Sequence, residues 1–330
     1  MPYRNDPKVQ LSSSFKIMKE WDGLGLFGSL ILLFIILSVT APNFLSSENL
    51  LNVLQQAAFF GIIAFAMTLV IVAGEIDVSV GSSVALSSAL LGVLVVNLHF
   101  PFWLGCIGVM VYSTTVGAFA GWMRARFDVP SFISTLALYL SLRGVAKLIT
   151  NTFAIPLNAT QFFYWKSGKL FGFPVAAIYM VLAFFAISAF STKTVFGRTI
   201  FAVGGNAKAA VISGINVKSV RIFVFALTGA MAGITGLLQS AQLSSGNPSI
   251  GVGLEFDAIS AVIIGGTSLM GGKGSVFGTL LGVLLIAVLS NGMVLLGVNP
   301  YAQDVVRGGI VLGAVLISVL RRNRMKRKVS

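Results

Sequence analysis

Charge is what this 330-residue chain has least of: 10% of its residues are Asp, Glu, Lys or Arg, where soluble domains carry about a quarter. Acids are the scarcer sign, 10 against 23 bases. There is one histidine, His99, and one cysteine, Cys106. A single cysteine excludes a disulfide framework within the chain, and with a lone histidine it leaves no Cys/His cluster to bind a metal. No Ser/His/Asp set is evident, and the acid pair Glu75 and Asp77 has no basic or metal-binding neighbour in its own segment. Catalytic and metal-ligating residues are therefore expected to be none. The longest stretch between apolar windows on the expected outer side, Thr150 to Gly172, is too short for the 50 or more residues of a separate soluble domain.

Apolar residues fill the space that charge leaves. They make up 56% of the chain, with a mean hydropathy of +0.93. Windows long enough to cross a hydrocarbon core of about 30 Å run Leu24–Ala41, Ala57–Ala73, Val78–Val96, Phe102–Met123 and Phe132–Ile149. A second set runs Phe173–Phe190, Ile222–Leu238, Ala258–Met270, Val276–Val298 and Val305–Leu320, the eighth being short for a plain helix. The expected fold is all-α, a polytopic membrane protein with about ten transmembrane helices. The first window follows a polar tail and ends at Pro42 without a small-residue cleavage site, so it is read as an uncleaved span.

The net charge of +13 could indicate nucleic acid, but its distribution indicates orientation instead. With the N-terminus inside, inner segments hold Arg4, Lys8, Lys16, Lys19, Arg124, Arg126, Lys193, Arg198, Lys208, Lys218, Arg221, Lys273 and the tail from Arg321 to Lys328. Only Lys166 and Lys169 fall in an outer loop, the pattern of the positive-inside rule. Three regions follow: a cytoplasmic tail 1–23, one transmembrane domain 24–320 with a cytoplasmic loop 193–220, and a basic cytoplasmic tail 321–330 that can add attraction to anionic membrane lipid. Phe162, Phe163, Tyr164 and Trp165 beside Lys166 suit either an interfacial aromatic belt or a docking surface for an external partner.

Four places carry candidate chemistry. Gly74-Glu-Ile-Asp-Val-Ser-Val-Gly81 interrupts the apolar run from Ala57 to Val96 and puts Glu75 and Asp77 at or near the membrane, where an ionisable group costs about 2.5–3.5 kcal/mol. With Ser79 and its flanking glycines it reads as a break lining or gating a hydrophilic path, or as a turn with Asp77 capping the third span. Glu75-Ile-Asp77 is echoed by Glu255-Phe-Asp257 ahead of the eighth span, one at an inner and one at an outer end, as a five-span inverted repeat would give. The segment around Gly265, Gly266, Thr267 and Ser268 resembles a phosphate loop, but Thr267 stands at the first glycine position and Gly274 follows Lys273. It reads as a tightly packed or interrupted helix. Arg143 and Lys147, four apart on one helix face, either meet a polar solute or snorkel outward. In the inner basic loop, Ala209-Ala210-x-x-x-Gly214 predicts a short helix closed by a glycine turn, with small residues that a partner's cleft could hold.

These motifs, in this order and spacing, resemble the permeases of bacterial ABC importers for monosaccharides, the ribose-type branch of the branched-chain and sugar permease superfamily. The residues that carry the resemblance are Gly74 to Gly81, Val129-Pro-Ser-Phe-Ile-Ser-Thr-Leu136 with Arg143-Gly144, Phe196-Gly-Arg198, Ala202-Val-Gly-Gly-Asn206, Ser213-Gly-Ile-Asn-Val217, Asp257 to Val262, Gly265 to Gly274 and Gly278-Thr-Leu-Leu-Gly282. Together they span roughly residues 45 to 320. Glu75 stands where many relatives carry glycine, and Lys208 takes the acidic position of the family's Glu-Ala-Ala loop. The resemblance implies a type II-importer-like permease in the bacterial inner membrane that is not itself an enzyme. It implies a separate cytoplasmic ATPase subunit holding ATP and Mg, an extracytoplasmic sugar-binding protein and a second permease chain, with no cofactor in this chain and no nucleic acid. Asn206, Lys208, Ala209, Ala210, Gly214 and Ile215 are the expected ATPase-coupling residues. Gly74, Glu75, Asp77, Ser79, Gly81, Arg143, Asp257, Gly265, Gly266, Thr267 and Ser268 are the expected path or gating residues. A proton-coupled secondary transporter of a small polar solute, with Glu75 and Asp77 as proton carriers, is the rival reading.

Overall fold

The computed structural model of the chain describes residues 13–157 and 168–327. The aromatic run Phe162 to Trp165 with Lys166, most of the N-terminal tail and residues 328–330 lie outside the described residues. Among the described residues, twelve α-helices follow in order: α1 (Ser13–Thr40), α2 (Ser47–Val72), α3 (Val80–Gly92, continued by a wider turn at Val93–Asn97), α4 (Phe102–Phe127), α5 (Ser131–Ile149) and α6 (Val175–Lys193). Then come α7 (Val195–Gly205), α8 (Ala207–Ile212), α9 (Val217–Leu243), α10 (Leu254–Ile264), α11 (Val276–Leu295) and α12 (Pro300–Arg327). Four two-residue strands pair antiparallel, β1 (Ile155–Pro156) with β4 (Ser245–Gly246) and β2 (Lys169–Leu170) with β3 (Phe173–Pro174). Helices dominate because in lipid each backbone N–H and C=O must be satisfied within its own segment.

The starts of the helices follow local chemistry. The side chains of Ser46, Thr194 and Ser275 accept hydrogen bonds from the N–H groups of Asn49, Gly197 and Gly278, capping α2, α7 and α11. Pro101, Pro130 and Pro174 sit just ahead of α4, α5 and α6, where a missing N–H costs nothing. Among the described residues, seven helices are long and apolar enough to cross a membrane: α2, α3 with its wider turn, α4, α5, α6, α9 and α11. The expected ten reduces to these seven by that measure. The other three windows fall on α1, whose described apolar part is Leu24–Thr40, on the 11-residue α10 and on α12.

α2 lies at the centre. Its whole length from Ala57 to Val72 is buried against α6, α9, α10 and α11. The closest packing is between α4 and α9, which carry Gly117-x-x-x-Gly121 and Gly229-x-x-x-Gly233. A methyl group at Gly117 would lie 2.2 Å from the Phe225 carbonyl oxygen, and one at Gly229 would lie 2.3 Å from that of Ser113. Such small-residue pairs let two backbones touch where no hydrophobic force drives helices together.

The eighth window is the largest departure from a plain span. Residues 244–253 are not helical, yet they lie along α3 from Gly92 to Gly81, about 16 Å of a membrane-crossing helix. Gly246 abuts Gly92, Ser88 Oγ accepts from the Asn247 N–H, and Gly251 abuts Gly81. Only after Gly253 does α10 begin. The window Ala258–Met270 is helical only to Ile264 and breaks at Gly265, and a non-helical stretch, 244–253, also precedes the helix; irregular backbone at this depth is tolerated where it packs on protein.

Candidate functional site

The breaks in the two interrupted spans supply most of the candidate residues. α2 ends at Val72, and Gly74 takes φ +81, a left-handed conformation that other residues adopt at a cost. Gly271 and Gly272 also have positive φ, and the Gly272 N–H donates to the Val72 carbonyl at 2.8 Å. Gly204, in the last turn of α7, packs on the same carbonyl so closely that a methyl group there would sit 1.7 Å from it. Three segments far apart in sequence thus meet backbone to backbone. In the connecting loop, Gly265 packs on Gly278, Gly266 turns at φ +88, Thr267 is buried beside Gly274, and the Ser268 N–H donates to the Lys273 carbonyl.

Glu75 is not free. Its side chain is 3% exposed, and Arg124 from the end of α4 and Arg221 from the start of α9 each bring Nε to 2.8 Å of the same carboxylate oxygen. Asp128, which is exposed, pairs with both arginines on the outer side of the cluster. Two cations and two anions balance, and the break after α2 is pinned to the α4–α9 pair. The basic partners that Glu75 lacks in its own segment come from elsewhere in the chain.

Asp77 does not cap α3. The cap position belongs to Ser79, and Asp77 Oδ1 accepts from both the backbone N–H and the hydroxyl of Ser79 at 2.9 and 2.6 Å. The carboxylate holds the turn one step ahead of the helix, and the Ile76 and Val78 N–H groups donate to Ser131 and Thr135 of α5. The first turn of α3 then meets the second break. Gly81 faces the Glu255 carboxylate and the Gly251 carbonyl, with space for no side chain. Glu255 is 1% exposed, and among the described residues neither of its carboxylate oxygens has a hydrogen-bond partner.

Arg143 reaches the same region from α5, and it neither snorkels nor points at open space. Its guanidinium donates to the carbonyls of Pro248 and Ile250 in the non-helical segment. Asp257, half a turn beyond Glu255, lies 3.7 Å from Arg307 of α12, which also faces Asp304. The repeated Glu-x-Asp pairs differ in setting. Glu75 and Asp77 precede α3 by several residues, whereas Glu255 and Asp257 lie inside the first turn of α10.

The basic loop 193–220 is built of α7 and α8. Asn206 Oδ1 accepts from the Ala209 N–H to cap α8, and Gly214 closes it at φ +80, as the sequence predicts. Ala210 is buried and Ile215 half-buried against the body, while Lys208 and Ala209 are exposed. The outward face also carries Val211, 60% exposed, and Ile212, 88% exposed. Among the described residues there is no group of three or more His, Cys, Asp or Glu that could hold a metal ion.

The structure therefore sorts the candidate residues into three places. Gly74, Glu75 and Gly265 to Ser268 lie at the C-terminal end of α2. Asp77, Ser79, Gly81, Arg143 and Asp257 lie around the second break, and the loop residues lie on α8. Sequence reasoning missed Arg124, Arg221, Gly204 and the burial of Glu255; the only available signal was the Glu255-Phe-Asp257 echo.

Residues 49–315 match the profile of a family described as "Branched-chain amino acid transport system / permease component". The chain is 46% identical to "Probable ABC transporter permease protein YphD" of Escherichia coli (strain K12), covering 93% of this chain and 92% of that one. It is 42% identical to "Ribose import permease protein RbsC" of Bacillus subtilis (strain 168), covering 89% and 92%. It is 36% identical to "L-arabinose ABC transporter permease protein AraH" of Azospirillum brasilense, covering 90% and 87%. No solved structure matches.

Proposed function

The chain belongs to the branched-chain amino acid transport system permease family, and from that premise we propose that it is the membrane-spanning subunit of an ABC importer for a monosaccharide. It is a multi-pass membrane protein and a transport subunit, not an enzyme. Relatives named for ribose and arabinose import support the sugar as cargo. ATP and Mg belong to a separate cytoplasmic ATPase, and an extracytoplasmic sugar-binding protein delivers the solute. Two permease chains pair to complete the path, in a bacterial inner membrane with both termini cytoplasmic.

The observation that carries this reading is the α7–α8 unit. α8 turns two bare aliphatic side chains, Val211 and Ile212, away from the body, a face that suits a cleft in a partner. The preceding helix rests through Gly204 on the end of α2 and on the glycine loop. A push on α8 is thereby carried through α7 to the end of α2 and to the glycine loop, as rigid-element switching requires. Asn206, Lys208, Ala209, Ala210, Gly214 and Ile215 form the coupling element. Gly74 to Gly81, Arg143, Asp257 and Gly265 to Ser268 form the part that rearranges. The ion pairs at Glu75 speak against the rival proton carrier, because its carboxylate is engaged by Arg124 and Arg221 and pins the break after α2 to α4 and α9.

Reconstitution of the chain with its ATPase and binding protein tests the proposal through uptake of a labelled monosaccharide panel, with and without ATP. Uptake that requires all three proteins and ATP is expected. Uptake by this chain alone, driven by a proton gradient, would replace the importer with a secondary transporter.

A further inference from the structure

At the end of α2 farthest from α7 and α8 lies a cavity of about 200 Å³, lined by Glu48, Asn52, Gln55 and Phe59 of α2, by Lys169 of the β2–β3 hairpin and by Leu238 near the end of α9. The 26 residues of α2 put about 39 Å between its two ends, so this cavity and the coupling element lie on opposite sides of the membrane. Glu48, Asn52 and Gln55 are spaced i, i+4 and i+7 and share one helix face. Among the described residues they are the polar side chains that α2 brings to the cavity, ahead of its apolar run from Ala57 to Met67. Among the described residues, no hydrogen bond within the chain occupies these three side chains.

We infer that this cavity is a receiving site for one neutral, polyhydroxylated ring, occupied before the path opens. Two amides and a carboxylate on one side offer both donors and acceptors to vicinal hydroxyls. Phe59, Leu51 and Leu238 on the floor meet the C–H face of such a ring. The charges of Glu48 and Lys169 offset each other, which favours an uncharged solute over an anion or a cation. The volume is below the ~300–1,000 Å³ typical of pockets for drug-sized ligands and suits a single ring. The lining is more polar than apolar, which suits a ring that carries several hydroxyls. The inference rests on the importer reading and adds to it a site, on this chain, that is separate from the delivering protein.

The test uses the complete transporter in proteoliposomes and the permease alone in lipid nanodiscs free of glycolipid. Three quantities are read: uptake of tritiated pentoses and hexoses, ATPase stimulation by the loaded binding protein, and saturable binding of the same sugars to the nanodiscs. Asn52→Ala and Gln55→Ala are each expected to raise the KM for uptake about three- to tenfold while ATPase stimulation stays at the parent level. Asn52→Trp, which fills the cavity from its exposed rim, is expected to stop uptake with stimulation retained, and Asn52→Gln to restore it. Saturable sugar binding to the permease alone would show that free sugar reaches the site; its absence alongside the KM shifts would assign the site to sugar handed over by the binding protein. Parent-level uptake by Asn52→Trp, or an unchanged KM for Gln55→Ala should Asn52→Trp fail to fold, overturns the site and leaves the importer intact. No ATP-dependent uptake of any sugar by the unaltered complex would overturn the importer reading and the site with it.

Discussion

Replacing Glu75 by alanine strands two arginines at the end of a buried break. In the intact chain the carboxylate is 3% exposed and bridges Arg124 and Arg221, which are 20% and 17% exposed. Removing one partner of a fully buried pair costs about 3–5 kcal/mol. Here the arginines keep some contact with solvent and with Asp128, so the expected loss is smaller, about 2 kcal/mol. At a few degrees per kcal/mol for a chain of a few hundred residues, the unfolding midpoint should fall by about 5 °C. Cys106, the sole cysteine and partly buried in α4, serves as the reporter, since a thiol-reactive fluorophore labels it as the helices separate. Glu75→Gln should recover part of the loss through hydrogen bonding. In a double-mutant cycle, Arg221→Leu should cost less in the Glu75→Ala background than in the parent, because the cation it removes is no longer compensated there. A midpoint unchanged in Glu75→Ala, or strictly additive effects, would refute the view that this cluster pins the α2 break to α4 and α9.

Ile212→Asp places a charge on the outward face of α8 without touching its buried side, and should lower ATP-dependent uptake at least tenfold with normal membrane abundance. Gly214→Pro or Ala210→Trp should uncouple transport while expression persists; normal uptake from either, measured in vesicles, would sink the coupling assignment. Asn49→Ala removes the reciprocal amide pair with Asn291 and a bond to the Phe44 carbonyl, a loss of about 2 kcal/mol. The double replacement Asn49→Leu with Asn291→Leu should recover much of that in a thermal melt, because no buried amide is then left unpaired. Gly117→Leu should abolish accumulation of folded protein, read by size-exclusion profile, since the Phe225 carbonyl already occupies the space.

Much of the fold was legible because hydropathy and helix length carry the membrane signal directly. The windows at Phe102, Phe132 and Val276 begin within a residue of their helices, and the α8 turn follows from Asn206 and Gly214. What the sequence hides is whatever depends on distant partners. Nothing in Gly74 to Gly81 reveals that Glu75 will meet Arg124 and Arg221, because those residues lie 49 and 146 positions downstream. Of the two readings of Asp77, a cap of α3 or part of a break, the sequence does not choose, because Asp77 and Ser79 are both good capping residues and only the backbone decides between them. The short eighth window points to the break after Ile264 but not to the one before it: Ser244 to Gly253 contains no apolar run, so its passage beside α3 is visible only with α3 and α5 in place.

The same passage constrains how the chain is assembled. Segment 244–253 has one internal hydrogen bond, from the Ser249 N–H to Asn247 Oδ1, and lacks the hydrophobicity to enter lipid by partition, since each unsatisfied peptide group there costs several kcal/mol. Its acceptors are met instead by Arg143, its donors by Ser88, and its flanks by β1. The slot that receives it is made by α3, α5 and the Ile155 strand, all synthesised earlier. Biogenesis is therefore ordered: the ribosome must release the first half of the protein into the bilayer as a templating surface before this segment can leave water. A nascent chain arrested near residue 264 with Arg143 replaced by alanine should strand the segment outside the membrane, where a protease can cut it.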